Sequence, residues 1–332
     1  MVETKGERPV NETLESRPLK PAEYEVWDRL VEASPAGTVY HYSQWLRSVS
    51  EAVGDRLVLI GFFQAGELVA GFPCQVRGRG PLKLARRAFA TPYSNLLVRP
   101  DVEANAEPLV NEALRKLSRG FSCIVVTQSP FANELPLCAR WQTREKATYV
   151  VDIRNTGRLW QSFSHQLRKD VRKAEKLGIT VSSPCPPETL SRLYRSACQR
   201  RGLTPPLSGE RLVLLLGKVL GAGLGRTYLA ATAEREPCVA RLVLYDSRRA
   251  YCALVGLDRE VRQTGASELL VWSVIRDFSK THGELDLVGA NSPEMAAFKR
   301  KFRGRLVTYT EATHFRSGLE RVLIRLYQAF RR

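Results

Sequence analysis

The sequence predicts an α+β protein made of two similar units, each with its own mostly antiparallel sheet carrying helices. The first observation is a run of three short strands separated by two tight turns, at residues 56–90 and again at residues 226–257. The second observation is that each run is followed by a helix and then by an apolar strand. This repeated order predicts two units of one architecture, although their side chains differ.

Helices of the first half are indicated by apolar residues at helical spacing, at residues 21–34 and 42–54. Residues 101–120 have acidic residues early and basic residues late, as expected of a helix. The apolar run at residues 121–128 predicts a buried strand.

The second half alternates in a comparable way. Its predicted helices occupy residues 158–177, 187–202, 266–283 and 293–302, and its further strands occupy residues 148–153, 179–183, 284–290 and 305–315. We therefore divide the chain into four segments. These are a flexible N-terminal tail at 1–20, a first domain at 21–150, a second domain at 151–315, and a basic amphipathic helix at 316–332.

Composition limits the class of partner. The chain has 332 residues, enough for two domains of ordinary size, and 44% of them are hydrophobic. Its formal net charge of +17 predicts an anionic partner, because such an excess of one sign repels itself. Nucleic acid, a membrane surface and phosphorylated small molecules all meet this requirement.

The cysteines and apolar runs indicate a cytoplasmic protein. Seven cysteines form no Cys-x-x-Cys pair, which is typical of free thiols in a reducing compartment. The N-terminus lacks the apolar core of a secretory signal. The longest apolar run, residues 212–225, contains Lys218 and is too short to span a membrane. We expect no transmembrane segment, with membrane contact limited to the inner face.

Several stretches, taken in order, resemble the Fem-type transferases. "LRKDVRKAEKLGITV" is similar to their basic helix and following strand, and "LDLVGANSPEMAAFKRKFRGRLVTY" is similar to the end of their second domain. "TVYHYSQWL" and "ATPYSNLLV" are similar to a helix and a loop of the first domain. The resemblance covers about residues 25 to 315.

This resemblance implies two tandem domains of the Gcn5-related N-acetyltransferase (GNAT) fold, with the active site in the second. It implies transfer of an acyl or aminoacyl group onto an amine, on a peptidoglycan or other cell-envelope precursor. No tightly bound cofactor is expected; acyl-CoA or aminoacyl-tRNA serves as co-substrate. The expected partners are an anionic small-molecule or lipid-linked acceptor and tRNA. The alternative is a non-catalytic module that binds RNA, anionic glycan or lipid through its basic helices.

Lys299 is the candidate catalytic residue. It follows Phe298 on a short predicted helix, at the place of the family's Phe-Lys pair. The resemblance implies that Lys299 polarises the reacting carbonyl or holds a donor phosphate, with Phe298 as a wall beside it. A fixed cation stabilises negative charge that develops on a carbonyl oxygen during amide formation. Lys301, two positions along, is expected to point elsewhere.

Three basic residues are candidates for contact with substrate phosphate. Arg168, Arg172 and Lys176 lie four residues apart in turn, so they share one face of a helix. Arginine suits bidentate contact with phosphate. The other interpretation is an ordinary solvated face.

The stretch "RQTGASELL" opens a predicted helix after a strand. Arg262, Gly265 and Ser267 approximate the loop that holds the CoA pyrophosphate in single-domain acetyltransferases. A helix N-terminus with small residues presents backbone N–H groups to an anion. Ordinary helix capping would produce a similar stretch.

Tyr93 and Tyr251 are candidates for acceptor contact, because the resemblance places aromatic residues there. Either is equally consistent with a tyrosine of a half-buried strand. The four histidines are scattered without metal-ligand spacing, so no metal site is expected. In the tail, Leu319, Leu323, Leu326 and Phe330 share one helical face, which predicts packing on a domain or contact with anionic lipid; Phe330 lies outside the residues that the structure describes.

Overall fold

The computed structural model describes residues 14–78, 82–103, 106–258 and 263–329. Its strands are β1 (Glu15–Pro18), β2 (Arg56–Gln64), β3 (Glu67–Arg77), β4 (Leu84–Arg86), β5 (Leu97–Val98), β6 (Cys123–Thr127), β7 (Gln142–Asp152), β8 (Thr180–Ser182), β9 (Gly225–Ala231), β10 (Pro237–Tyr245), β11 (Ala250–Leu257), β12 (Glu284–Asp286) and β13 (Arg305–Phe315).

The helices alternate with these strands. They are α1 (Tyr24–Ala33), α2 (Ser43–Val53), α3 (Pro100–Glu103), α4 (Ala106–Gly120), α5 (Thr156–Ser162), α6 (His165–Lys176), α7 (Pro187–Gln199), α8 (Gly209–Gly221), α9 (Ala266–Phe278), α10 (Pro293–Arg300) and α11 (Gly318–Ala329). Short 3₁₀ turns at Pro21–Glu23 and Val39–His41 precede α1 and α2.

Both predicted three-strand runs are confirmed as antiparallel neighbours. In the first half β2 pairs with β3 and β3 with β4, and in the second half β9 pairs with β10 and β10 with β11. The turn between β2 and β3 contains Ala65 and Gly66, both with positive φ. Such a two-residue turn matches the twist of the paired strands, which explains why the hairpin was visible in the sequence.

The sheet is continuous across the two halves, which corrects the expectation of a separate sheet in each. Its strands follow the order β1-β2-β3-β4-β6-β13-β7-β12-β11-β10-β9-β8, with β5 paired to β3. The closing strand β13 lies between the halves and is antiparallel to both β6 and β7. Residue 150, the predicted boundary, lies inside β7. Pairing on both sides leaves neither half with an open edge at this point.

Several helix boundaries differ from prediction. The segment 158–177 forms two helices, α5 and α6, because Phe163 is extended and Ser164 begins a new helix by accepting a hydrogen bond from Leu167 N. The segment 101–120 contains α3 and α4. Helix α8 was not predicted. Residues 15–18, assigned to a flexible tail, form β1 against β2.

Two large apolar clusters cover opposite faces of the second half of the sheet. One includes Trp27 and Trp45 from the first half with Leu212 and Leu242 from the second, so it also joins the halves. The other lies under α6 and α9 and includes Val171, Leu270 and Phe302. A third cluster packs α4 on the sheet of the first half. The cluster under α6 and α9 also contacts Phe298 of α10, the helix that carries the candidate residue Lys299.

Candidate functional site

Lys299 lies on α10, close to the end of β12. Helix α10 begins with Pro293 after Ser292, whose hydroxyl accepts a hydrogen bond from Met295 N at 3.3 Å. The Nζ of Lys299 donates to two consecutive main-chain carbonyls, those of Val288 and Gly289. Two such acceptors hold the ammonium in one position.

The carbonyls that hold Lys299 belong to an unusual turn. Val288 and Gly289 have φ values of 48° and 72°, in the left-handed region. A β-branched residue rarely adopts such a conformation, since it costs about 1 to 3 kcal/mol. This turn presents both carbonyl oxygens to the same cation, and nothing in the sequence indicated it.

The environment lowers the pKa of Lys299 to about 8. Burial is the main cause, because it disfavours the charged form, and the positive charge of Arg241 acts in the same direction. The groups of Cys252 and Asp286 oppose this shift. At neutral pH the side chain is still mostly an ammonium, which is the form that stabilises an anion.

Asp286 is fully buried and connects the two halves of the chain. Its carboxylate accepts hydrogen bonds from Tyr93 Oη at 2.5 Å, from Val288 N at 2.8 Å and from the hydroxyl of Thr148. Burial raises the pKa of Asp286, while these donors oppose that shift. Sequence reasoning did not select Asp286, although an acidic residue inside the apolar stretch "ELDLVGA" was a usable signal.

Tyr93 and Tyr251, predicted to contact the acceptor, lie in the interior. Both side chains are fully buried. The hydroxyl of Tyr93 donates to Asp286, and that of Tyr251 donates to Asp246 at 2.8 Å. Edge-to-face contacts join both rings to Tyr40. These tyrosines therefore support the junction between the halves, and contact of either one with the acceptor stays a prediction.

The basic face of α6 is where the sequence placed it. Leu167, Val171 and Ala174 are buried against the sheet. On the opposite side, Arg172 and Lys176 are exposed, whereas Arg168 is half-buried and donates to Gln161 O at 3.0 Å. The two exposed cations are free to meet an anionic ligand.

The start of α9 packs directly on α6. Gly265 caps α9 with φ of 81°, and a Cβ there would lie 2.0 Å from Asp170 O. Ser267, in the first turn, is half-buried. The structure thus brings together the basic helix α6 and the start of α9, the two elements that the sequence predicted to bind phosphate. Arg262 lies outside the described residues.

Lys301 points away from Lys299, as expected. Its Nζ contacts Glu268 Oε1 at 2.7 Å and Asp170 Oδ2 at 3.7 Å. This network ties α10 to α6 and α9, so Lys301 has a structural role. It is consequently unsuitable as a control for the charge of Lys299.

Phe298 belongs to an aromatic group that covers this end of the site. Its ring lies 5.4 Å from that of Phe302, which in turn contacts Phe163. Trp160 and Trp272 extend the group, with ring centroids 5.0 Å apart. Phe298 therefore adjoins a mostly buried aromatic cluster, and its role as a wall beside Lys299 stays a prediction.

Two grooves open on other surfaces of the described chain. One, of about 350 Å³, lies between α7 and α8 and includes Arg192 and Arg195. The other, of about 260 Å³, lies between α2 and α8. No group of three or more potential metal ligands occurs among the residues described. Within the same residues, no helix combines the length and apolar character needed to cross a bilayer.

Residues 161–300 match the family model described as an acetyltransferase (GNAT) domain. No curated protein matches the chain by sequence. The fold is similar to that of FemX, with a TM-score of 0.64 at 12% identity, covering 89% of this chain and 96% of FemX.

Two other solved structures share the fold. The C-terminal domain (DUF2156) of a putative lysylphosphatidylglycerol synthetase from Agrobacterium fabrum has a TM-score of 0.58 at 11% identity, covering 92% of this chain and 94% of that domain. A tandem GNAT protein from the clavulanic acid biosynthesis pathway has a TM-score of 0.52 at 12% identity, covering 92% and 99%. The predicted tandem GNAT fold is confirmed, and so, at the level of the fold, is the resemblance to Fem-type proteins.

Proposed function

We propose that the protein transfers an acyl or aminoacyl group onto an amine and thereby forms an amide. The observation that carries this proposal is the half-buried ammonium of Lys299, held by the carbonyls of Val288 and Gly289. An ammonium has three N–H donors, so two carbonyl contacts leave one hydrogen for a reacting oxygen.

In the proposed step, the amine nitrogen attacks the donor carbonyl carbon and a C–N bond forms. The carbonyl oxygen becomes negative, and Lys299 stabilises it by a charge-assisted hydrogen bond. Collapse of this intermediate breaks the C–S bond of a thioester or the C–O bond of an ester. The proton lost by the amine passes to the leaving group or to water.

The donor is acyl-CoA or aminoacyl-tRNA, both of which carry phosphates. The exposed cations Arg172 and Lys176 on α6 and the adjoining start of α9 support binding of such a donor beside the second half of the sheet. The likeness to a putative lysylphosphatidylglycerol synthetase favours a lipid or lipid-linked acceptor.

The C-terminal helix α11 supports contact with an anionic membrane surface. Leu319, Val322, Leu323 and Leu326 are 43% to 70% exposed, whereas Ile324 is buried against the sheet. An exposed apolar strip on a basic protein is typical of helices that lie in the membrane interface. Such contact would place the site near a lipid-linked acceptor at the inner face of the membrane.

Mass spectrometry of the protein incubated with mixed acyl-CoAs, charged tRNAs and envelope precursors tests the proposal. Lys299→Met should lower turnover by about 100-fold or more, since it removes an oxyanion donor. Arg300→Met is the matched control, because Arg300 is the neighbouring residue of α10 and is exposed. Equal small losses in both variants, or a loss of affinity alone, would contradict the catalytic role of Lys299.

The alternative function is binding of RNA, anionic glycan or lipid without catalysis. It is favoured by the exposed cations of α6 and by the aromatic group around Phe298, which occupies one end of the site. A pure binder would bind such ligands with strong salt dependence but produce no new amide from any donor. The same mass spectrometry therefore distinguishes the two functions.

A further inference from the structure

Arg241 is a buried cation in the middle of β10. Only 7% of its surface is exposed. It lies two residues before Val243, which pairs with Cys252 of β11, and alternate residues of a strand face the same side of a sheet. Arg241 and Cys252 therefore share the face of the sheet that is covered by α6 and α9.

One nitrogen of this guanidinium lacks the partner that a buried donor normally has. Its Nε is inaccessible to solvent and has no hydrogen-bond partner. No ion pair joins Arg241 to a carboxylate within the part of the chain described. Its neighbour is the thiol of Cys252, a weak acceptor. A buried charge without a counter-ion costs several kcal/mol, so a missing anion is the economical explanation.

The local balance of charge has the same implication. Arg241 is close enough to Lys299 for its positive charge to lower the pKa of that lysine, and Asp286 is the carboxylate that acts on Lys299 in the opposite direction. Asp286 already accepts hydrogen bonds from Tyr93, Thr148 and a main-chain N–H. Two cations and one committed carboxylate leave one positive charge without compensation.

We propose that Arg241 binds a carboxylate of the substrate beside Lys299 and so selects carboxylate-bearing substrates. This inference rests on the proposed transferase function. A carboxylate is planar and singly charged, so it matches the fork of one guanidinium and the single excess charge. It can belong to the acyl group of the donor or to an amino-acid acceptor, whose amine and carboxylate are adjacent.

The experiment compares two matched pairs of substrates and determines kcat/KM for each member. Succinyl-CoA and butyryl-CoA test the donor, while alanine and alaninamide test the acceptor. The wild-type protein should prefer the carboxylate in one pair by about 10- to 100-fold, as expected of a hydrogen bond to a charged group. The pair that shows the preference identifies the source of the carboxylate.

Substitution at Arg241 should abolish that preference. In Arg241→Met the ratio of the two kcat/KM values should approach one, and in Arg241→Lys it should be intermediate. Arg300→Met, which removes an exposed cation, should keep the wild-type ratio. The inference is wrong if the wild type shows no preference in either pair, or if Arg241→Met lowers both members of a pair equally.

A binding measurement tests the inference even if the protein turns over none of these substrates. Calorimetric titration of succinate should give heat with the wild-type protein and none with Arg241→Met, with circular dichroism verifying that the variant is folded. Binding that is unchanged in Arg241→Met overturns the inference. If Lys299→Met stops turnover while Arg241→Met has no effect on selectivity, the proposed function survives and this inference fails.

Discussion

At Lys299, burial together with the charge of Arg241 sets the pH at which the proposed chemistry works. The pKa of about 8 means that the ammonium is lost as pH rises through this value. We expect kcat/KM to fall above pH 8, because a neutral amine stabilises an oxyanion poorly. In Lys299→Arg, whose guanidinium does not titrate in this range, any remaining activity should persist to higher pH. An identical fall in both proteins would assign the transition to another group.

The same shift predicts the effect of Lys299 on stability. Its pKa is lower in the folded protein than the ordinary value of 10.5, so the unfolded chain binds more protons between pH 8 and 10.5. The free energy of unfolding should therefore rise with pH in that window. Urea unfolding of Lys299→Met should lack this contribution, and a steeper rise in the variant would contradict the shift.

His41 makes the protein sensitive to acid. Its imidazole is fully buried, and both ring nitrogens are close to polar partners, Thr38 Oγ1 at 2.9 Å and Asn95 N at 3.2 Å. The main-chain N–H of Thr38 also donates to Nδ1 at 3.2 Å, so N–H donors face both ring nitrogens and oppose the doubly protonated imidazolium. Burial lowers the pKa of His41 to about 3.

The unfolded chain should therefore bind one more proton than the native protein between pH 6.5 and 3. Stability contributed by the neutral imidazole is lost as pH falls through this range, by at most about 1.4 kcal/mol per pH unit. Urea unfolding at pH 7, 6 and 5 measures this slope. His41→Gln should be less stable at pH 7 but should show a shallower decline, and parallel declines would exclude His41 as the cause.

Residues of the site differed in how well the sequence revealed them. Lys299 and Phe298 were selected because they match a local motif, and their roles stay predictions. The full burial of Tyr93 and Tyr251 was not predicted, since burial depends on the other half of the molecule. Arg241 was missed although it lies in the apolar run "CVARLVLY". An isolated charge in a buried strand indicates an anionic partner outside that strand.

At the scale of elements, the contact between α6 and α9 requires glycine at position 265. A Cβ there would lie 2.0 Å from the main-chain oxygen of Asp170, and φ is 81°. We expect Gly265→Ala to lower the free energy of unfolding by about 2 kcal/mol or more, through backbone strain and separation of the helices. Chemical denaturation measures this loss.

Gly120→Ala is the matched control for that prediction. Gly120 ends α4, and a Cβ added there would have no other atom within 4 Å. Alanine at this position should be neutral or slightly stabilising, by up to about 1 kcal/mol, because it restricts the unfolded chain. If both alanine variants behave alike, the close approach of α6 to α9 is not an energetic constraint.

We predict that helix α11 binds anionic membranes through its exposed leucines. Replacing Leu319 and Leu323 by Asp removes two exposed apolar side chains without affecting the buried Ile324. Co-sedimentation with vesicles of phosphatidylcholine and phosphatidylglycerol should fall at least tenfold, since each buried leucine contributes about 1.5 to 3 kcal/mol. Vesicles of phosphatidylcholine alone should bind weakly in every case. Equal binding of the wild type and the variant to anionic vesicles would exclude α11 as the contact.

Element boundaries were predictable where the signal was local. The end of α2 at Gly54 and the hairpin turn containing Gly66 follow from glycine, which tolerates positive φ. The break between α5 and α6 was missed because Ser164 is a modest cap inside a continuous basic pattern. Helix α8 was missed because its apolar run was considered only as a membrane span.

For the whole molecule, the sequence indicated two similar halves but did not indicate how their strands join into one sheet. Repeated local patterns predicted both halves. The pairing of β13 with β6 and β7 joins strands far apart in the chain, and no local pattern encodes such register. The burial of Tyr93 and the buried partners of Asp286 both depend on this junction, which is why the candidate site was only partly predictable.

The junction between the halves also predicts how the protein unfolds. Because β13 completes the sheet on both sides, and Tyr93 bonds to Asp286 across the halves, neither half retains its full set of partners when the other unfolds. We expect one cooperative transition in urea. Hydrogen exchange with mass spectrometry should show protection in β3 and β10 disappearing at the same urea concentration. Asp286→Asn, which weakens the buried network, should lower the midpoint for both strands together. Loss of protection in one strand well before the other would mean that the halves are independent domains that happen to share an edge.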